Sequence, residues 1–558
     1  MSYDLLIKNG TVVDGTGAPR RQADVAVKDG VITEIGKITD GAAKTIDADG
    51  LIVAPGFVDP HTHFDAQICW DPQITPSSWH GVTSVVMGNC GVGLAPCRPQ
   101  VRDIVTHDLV NVEAIPYEVL KRGVTWDWET FPSYMQAAAK RGSAVNLGFI
   151  APLTPFRHYV MGEESMERAA TLEETEKIAA LLREAVGAGA LGWSLTTGVQ
   201  HIGYKGRPLA CRLADRSELK TYANTLGDLG KGVIEITLTQ KFGHIQDHEL
   251  DLLQFLLDES GRRVTWLAVF DLEDQPNAAL ETLQRSEQLI KRGGVPQMGC
   301  RPLIAEIEFK SGMAFSLMRS WQPAVGQPPE KLRQLYADPD FRRAVVDEMK
   351  GGVLRRNFNR VEVCDVGKPE MRSLIGKSVA EIARTRGREG HEFETMLDLA
   401  IEDDLNVSFM QAVFNTNEER LSKLINDPRP MIGLSDAGAH VSLLCDAGYC
   451  TYLLGHFARE LEAITLEYAV KRLTSEPADF FGLDGRGRLK TGNVADIAVF
   501  DAATVGSARR GTMRDDLPGG GKRLIVAATG VIHTFVNGVP VYENERYTGA
   551  TPGEVLHS

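Results

Sequence analysis

Apolar and polar residues alternate in short runs from Tyr3 to about Asp49. Asp4-Leu5-Leu6-Ile7-Lys8, Thr11-Val12-Val13, Asp24-Val25-Ala26-Val27 and Val31-Ile32-Thr33-Glu34-Ile35 have strand character. Between them, Asn9-Gly10 and Asp29-Gly30 favour hairpin turns. The texture returns in residues 496–500 and 530–541. This pattern predicts a small β-sandwich built from both termini, residues 1–53 and 481–558, with a main domain, residues 54–480, inserted between them.

The middle alternates apolar runs with amphipathic segments. Strands are predicted at 51–58, 82–87, 144–149, 191–195, 233–238, 264–270, 295–298 and 431–434. Helices are predicted at 172–186, which has acids in its first turn, and at 248–257. About eight parallel strands with intervening helices indicate an α/β fold of the (β/α)8 TIM-barrel type, whose chemistry sits at the C-terminal strand ends. A doubly wound open sheet is the alternative. The alternation breaks down over residues 306–407, where 330–349 and 377–385 read as helices. That stretch is expected to be an insertion between the last two barrel strands, a lid over the active-site mouth.

Composition narrows the function classes. The 558 residues are 43% hydrophobic and 24% charged, which suits a globular protein large enough for more than one domain. A net charge of -14 without a basic stripe argues against a nucleic-acid partner. No apolar window reaches the roughly 18 residues of a membrane span, and residues 1–4 do not begin a secretory signal. The expected compartment is the cytoplasm, where the eight scattered cysteines would stay reduced. The expected partner is a small-molecule substrate; a homo-oligomer is compatible with this composition but has no signal in it.

The candidate chemistry starts at Asp59-Pro60-His61-Thr62-His63. Side chains at i and i+2 of a strand share a face, so His61 and His63 can chelate one divalent metal, with zinc the first choice. Cys90, after the second strand, is either a further ligand or a structural thiol. Asp436, after the last strand, can bind the metal weakly, accept a proton from the attacking water and pass it to a leaving nitrogen. An N-cap or Asx turn is the plain alternative for it. His440 suits an oxyanion contact, orientation of Asp436, or mere packing. Arg301 can hold a substrate carboxylate or form a structural ion pair. His201 is placed for substrate. Glu235, Thr237 and Thr239 share one face of the fifth strand, where a buried glutamate would be costly and so of interest.

These segments together resemble the N-acyl-D-amino-acid deacylase (D-aminoacylase) branch of the amidohydrolase superfamily. The matching stretches are Ala54-Pro55-Gly56-Phe57-Val58-Asp59-Pro60-His61-Thr62-His63, Gly88-Asn89-Cys90-Gly91, Gly189-Ala190-Leu191-Gly192-Trp193-Ser194, Leu434-Ser435-Asp436-Ala437-Gly438-Ala439-His440, Gly485-Arg486-Gly487-Arg488-Leu489 and Val536-Asn537-Gly538. The resemblance implies a distorted (β/α)8 barrel with a β-sandwich, and zinc on His61, His63, Cys90 and Asp436, with Asp436 as general acid/base. It also implies hydrolysis of a C–N amide bond, first of N-acyl-D-amino acids and next of cyclic amides or imides, as in hydantoinases and dihydropyrimidinases. A metal-poor homologue acting as a binding protein is a third reading. The resemblance is incomplete: the relatives have metal histidines ending the fifth and sixth strands, whereas this chain has Glu235-Ile236-Thr237-Leu238-Thr239-Gln240 and Trp266-Leu267-Ala268-Val269-Phe270-Asp271. One ion is therefore expected rather than two, with His244 and His248 as the substitutes to check.

Overall fold

Five strands begin the chain: Tyr3–Val12 (β1), Arg21–Lys28 (β2), Val31–Gly36 (β3), Ala42–Asp47 (β4) and Ile52–Pro55 (β5). The computed structural model describes residues 3–238, 243–310, 315, 318–351, 357–441, 445–508 and 511–557. Asp29 and Gly30 (φ 50° and 75°) form the tight turn between β2 and β3. Asn9-Gly10 does not turn the chain. Asn9 takes a positive φ of 60° and the β1–β2 register shifts between Ile7 and Gly10, so β1 continues through a bulge. A Cβ at Gly10 would lie 2.5 Å from Val53, which leaves no room for a side chain. Leu5 and Ile7 join Val25, Val53, Ile497 and Phe535 in one core, while Leu6 packs with Ala26 and Ile38 on the other face. Burial of both faces explains the unbroken Leu5-Leu6-Ile7 run.

The next strands are Phe57–Thr62 (β6), Val82–Met87 (β7), Asn146–Phe149 (β8), Ala151–Pro152 (β9), Gly192–Thr196 (β10), Val233–Thr237 (β11), Val264–Leu267 (β12) and Gly294–Met298 (β13). Amphipathic helices such as Leu172–Gly187 and Asp247–Ser260 lie between them, opened by capping boxes at Thr171 and Gln246.

The chain from Pro302 to Thr416 forms a separate compact unit. Its strands Leu303–Glu308 (β14), Val361–Asp365 (β15) and Ser408–Phe414 (β16) pair antiparallel in the order β14-β16-β15, and its core centres on Trp321, Tyr336 and Phe393. The single helix expected over 330–349 is two, Pro329–Ala337 and Pro339–Gly351. Pro339 disfavours helical backbone at the preceding residue, and Asp338 is extended there (ψ 119°).

The other unit resumes with Met431–Ile432 (β17), Leu434–Ala437 (β18) and Ile497–Phe500 (β19). Two parallel sheets result, β17-β13-β12-β11-β10-β9 and β18-β6-β7-β8. Ile150 alone separates β8 from β9, and Gly433 alone separates β17 from β18. β19 and the later strands Val531–Val536, Val539–Glu543 and Arg546–Tyr547 join β1–β5 in one nine-stranded sheet, so both termini contribute to it. The architecture is mixed α/β. Among the described residues, no helix is long and apolar enough to cross a membrane.

Candidate active site

β6 is buried along its whole length and carries His61 near its C-terminal end. His61 Nδ1 meets Gln297 Oε1 of β13 at 2.9 Å. An amide oxygen only accepts, so Nδ1 donates to it and the ring presents Nε2 to Cys90 and Asp436. His61 Nε2 lies 3.4 Å from Cys90 Sγ and 3.2 Å from Asp436 Oδ1. His63 Nε2 lies 3.5 Å from the same Asp436 oxygen, while its Nδ1 is 3.3 Å from Glu113 Oε1. One ligand atom from each of His61, His63 and Cys90 falls within 4.8 Å of the others. Two imidazoles, a thiol and a carboxylate in this spacing form a donor set that fits one zinc ion.

The backbone around these groups is constrained. Cys90 adopts a left-handed conformation (φ 57°), and so does Asp436 (φ 49°), both uncommon for residues other than glycine. Neighbouring strands hold the cysteine turn. The Cys90 N–H donates to Glu235 Oε2 at 2.7 Å, and the Gly91 N–H donates to Ser194 Oγ at 3.1 Å. Ser194 and Glu235 are paired in register across β10 and β11. A Cβ on Gly88 would sit 2.0 Å from the Ile150 carbonyl oxygen, so the turn requires glycine there. On the other side, Ser435 Oγ donates to Asp59 Oδ2 at 2.8 Å and sets the backbone just before Asp436.

Comparison with known proteins decides the family. Residues 44–301 and 344–542 match the amidohydrolase family. The D-aminoacylase of Alcaligenes xylosoxydans xylosoxydans is 30% identical over 99% of this chain and 97% of its own. The chain belongs to the amidohydrolase family. A D-aminoacylase structure described as having a binuclear metal centre, with one-metal activation and second-metal attenuation, matches this amidohydrolase with a TM-score of 0.68 at 25% identity over 100% of both chains. The N-acyl-D-glutamate deacylase of Bordetella bronchiseptica, solved with zinc and a phosphonate inhibitor, shares the fold with a TM-score of 0.66 at 24% identity over 100% of both chains.

The site of this amidohydrolase gathers several of the residues singled out in the sequence and leaves others outside. Glu235 lies against Cys90 and is fully buried; its Oε1 has no hydrogen-bond partner among the described residues. Burial pushes its carboxyl up to about 8, against the lowering effect of the Cys90 N–H. Burial would also raise Asp436, but hydrogen bonds from His61 and His63 outweigh it and hold that carboxyl well below the usual range. The Asp436 side chain keeps 20% exposure, more than either histidine beside it. His201 is pushed down to about 3, first by burial and then by the charges of His440 and His63. His440 donates its backbone N–H to the Glu113 carbonyl at 2.5 Å. Thr237 Oγ1 is buried without a partner, and Thr239 lies outside the described residues.

Arg301 packs against later segments of the chain. Its guanidinium donates to Ser507 Oγ at 2.8 Å and to the Ala508 carbonyl at 3.3 Å, pairs with Asp446 at 3.5 Å and lies over the Tyr452 ring. Of the two readings of Arg301, these contacts match the structural ion pair. His244 does not substitute for a missing ligand either; its ring faces Glu281 at 3.9 Å, and neither it nor His248 joins the metal-competent group found among the described residues. Glu113 and Gln297 were not singled out in the sequence. Glu113 ends helix Arg102–Glu113, where the helix dipole disfavours a carboxylate, and it is buried with Val112 and Leu109; that misplaced acid was the available signal. Gln297 is a lone polar side chain in the apolar run Val295-Pro296-Gln297-Met298.

Proposed function

We propose that this amidohydrolase cleaves the amide bond of an N-acyl-D-amino acid with one zinc ion held by His61, His63, Cys90 and Asp436. The carrying observation is the convergence of His61 Nε2, His63 Nε2 and Cys90 Sγ beside one Asp436 oxygen. A bound zinc ion would supply Lewis-acid polarisation of the scissile carbonyl and acidify a nearby water. Asp436, the most exposed of these side chains, accepts the proton of the attacking water and returns it to the departing nitrogen as the C–N bond breaks. The products are a carboxylate and a free amine. His201 and His440, whose charges act on one another, are the residues we assign to substrate contact beside Asp436. One ion is favoured because β11 and β12 contain no histidine.

The strand order supports closure of the two parallel sheets into a distorted (β/α)8 barrel, since β8 runs on into β9 and β17 into β18. The terminal sheet is then the small β domain built from both ends. The eight cysteines, none of them in a disulfide among the described residues, suit a reducing, cytoplasmic setting.

The test is hydrolysis of a panel of N-acetyl-D- and L-amino acids and hydantoins by zinc-loaded protein of measured metal content. D-selective release of amine at one zinc per chain is expected. A protein loaded with zinc that leaves every N-acyl-D-amino acid intact would overturn the proposal.

A further inference from the structure

A second cavity, of about 960 Å³, lies away from the metal-competent group. It opens at the N-terminal ends of strands, whereas the chemistry above follows the C-terminal ends of β6 and β7. Lys231 precedes β11, Arg262 and Arg263 precede β12, and Arg292 precedes β13; the segment after helix Ser475–Phe481 makes the other wall.

Seven basic side chains line this cavity against two acidic ones, Asp479 and Asp484, in a chain where 74 acids outnumber 60 bases. Part of the excess has a structural explanation. Helices Asp247–Ser260 and Ser475–Phe481 both end here, and cations suit the carbonyl ends of helices. Arg263 donates to the Phe480 carbonyl at 3.0 Å and Arg262 to the Gly232 carbonyl at 3.2 Å. Arg488 holds Asp479 in a bidentate pair at 2.7 and 2.5 Å, Arg292 pairs with Asp258 and Arg486 with Asp496, which leaves Lys231, Arg262, Arg263 and Lys490 against Asp484. The ammonium groups of Lys231 and Lys490 are different: among the described residues neither has an ion pair or a hydrogen bond. Gly261 and Gly482, which end the two helices, have space for a side chain on the cavity lining.

An arginine held on one side keeps N–H donors for a second acceptor, and free lysines add mobile point charges. A volume of this size accommodates a small organic ligand. We propose that the cavity is a binding site for a small organic oxyanion with two or more negative charges, a bisphosphate or a tricarboxylate. The proposal is independent of the amide chemistry at the metal site.

The experiment is calorimetric titration of the zinc-loaded full-length protein with fructose 1,6-bisphosphate, with tricarballylate and with sulfate, repeated on the Lys231→Ala/Lys490→Ala double variant. Saturable binding of one organic polyanion is expected, weakened about tenfold or more in the variant and weakened again by added salt. Preference for the bisphosphate identifies phosphate as the recognised group, and the reverse identifies carboxylate. Unchanged zinc content in the variant shows that it is folded. Absence of saturable binding at millimolar concentration, sulfate binding as tightly as the organic ligands, or a double variant that binds like the parent would each overturn the site.

Discussion

His63 Nδ1 and Glu113 Oε1 lie 3.3 Å apart, each side chain is 2% exposed, and among the described residues neither atom forms a hydrogen bond. The carboxylate arrives from helix Arg102–Glu113 and faces Nδ1 of the ring whose Nε2 lies 3.5 Å from Asp436. The Glu113 carbonyl also receives the N–H of His440, so one residue ties the histidine strand to the Asp436 loop.

Replacing that carboxylate should loosen zinc. Glu113→Ala is expected to lower zinc affinity by roughly 10–100-fold, the usual effect of removing a carboxylate that orients a metal-binding histidine. Competition with a calibrated chelator measures it. Glu113→Gln, which keeps an acceptor, should fall between the two; affinity unchanged in both variants would refute the orienting role.

Asp436→Asn tests the proton shuttle. Hydrolysis should drop by about 10²–10⁴ in kcat, the range for loss of a general acid/base. Zinc retained on His61, His63 and Cys90, measured by elemental analysis, would assign the loss to proton transfer. Full activity would exclude Asp436 from that role.

Arg301→Ala should affect folding before substrate binding. Removing one partner of a buried pair leaves Asp446 uncompensated, at a cost of about 3–5 kcal/mol. Urea unfolding reads that cost. If KM for a substrate bearing a carboxylate rose while stability stayed constant, the substrate-clamp role would be restored.

His80 gives a pH signature remote from the metal group. Burial, assisted by Arg301, pushes its imidazole down to about 4, and the neutral ring bonds Thr451 at 2.7 Å and the Val526 carbonyl at 3.0 Å. The unfolded chain takes up this proton near pH 6.5 and the folded chain only near 4, so the stabilisation is complete above pH 6.5 and is lost as pH falls toward 4. The shift corresponds to about 3 kcal/mol over that window. His80→Gln should flatten the decline of unfolding free energy between pH 6.5 and 4. A variant with the parent's slope would show that His80 is not the group responsible.

Much of the architecture was legible because strand signals are local. Residues 82–87 and 233–238 announce themselves as apolar runs, and Val82–Met87 and Val233–Thr237 are the strands observed. The turn dipeptides were less reliable: Asp29-Gly30 turns the chain while Asn9-Gly10 bulges, because Val53 packs where a side chain at residue 10 would stand. Pro339 is a local signal too, because it disfavours helical backbone at Asp338 and so divides the predicted helix.

The sequence by itself determined that metal-competent side chains stand at strand ends, since His61, His63, Cys90 and Asp436 each lie within or just beyond an apolar run. Only the tertiary structure decided their supports. Glu113 comes to His63 from a helix 50 residues later, Gln297 comes to His61 across the strands, and Arg301 is claimed by Ser507 and Asp446 from distant segments. Periodicity encodes which face a side chain occupies. Which partner it meets there depends on packing between elements far apart in the chain, where the cost of leaving a buried charge or N–H unpaired selects the match.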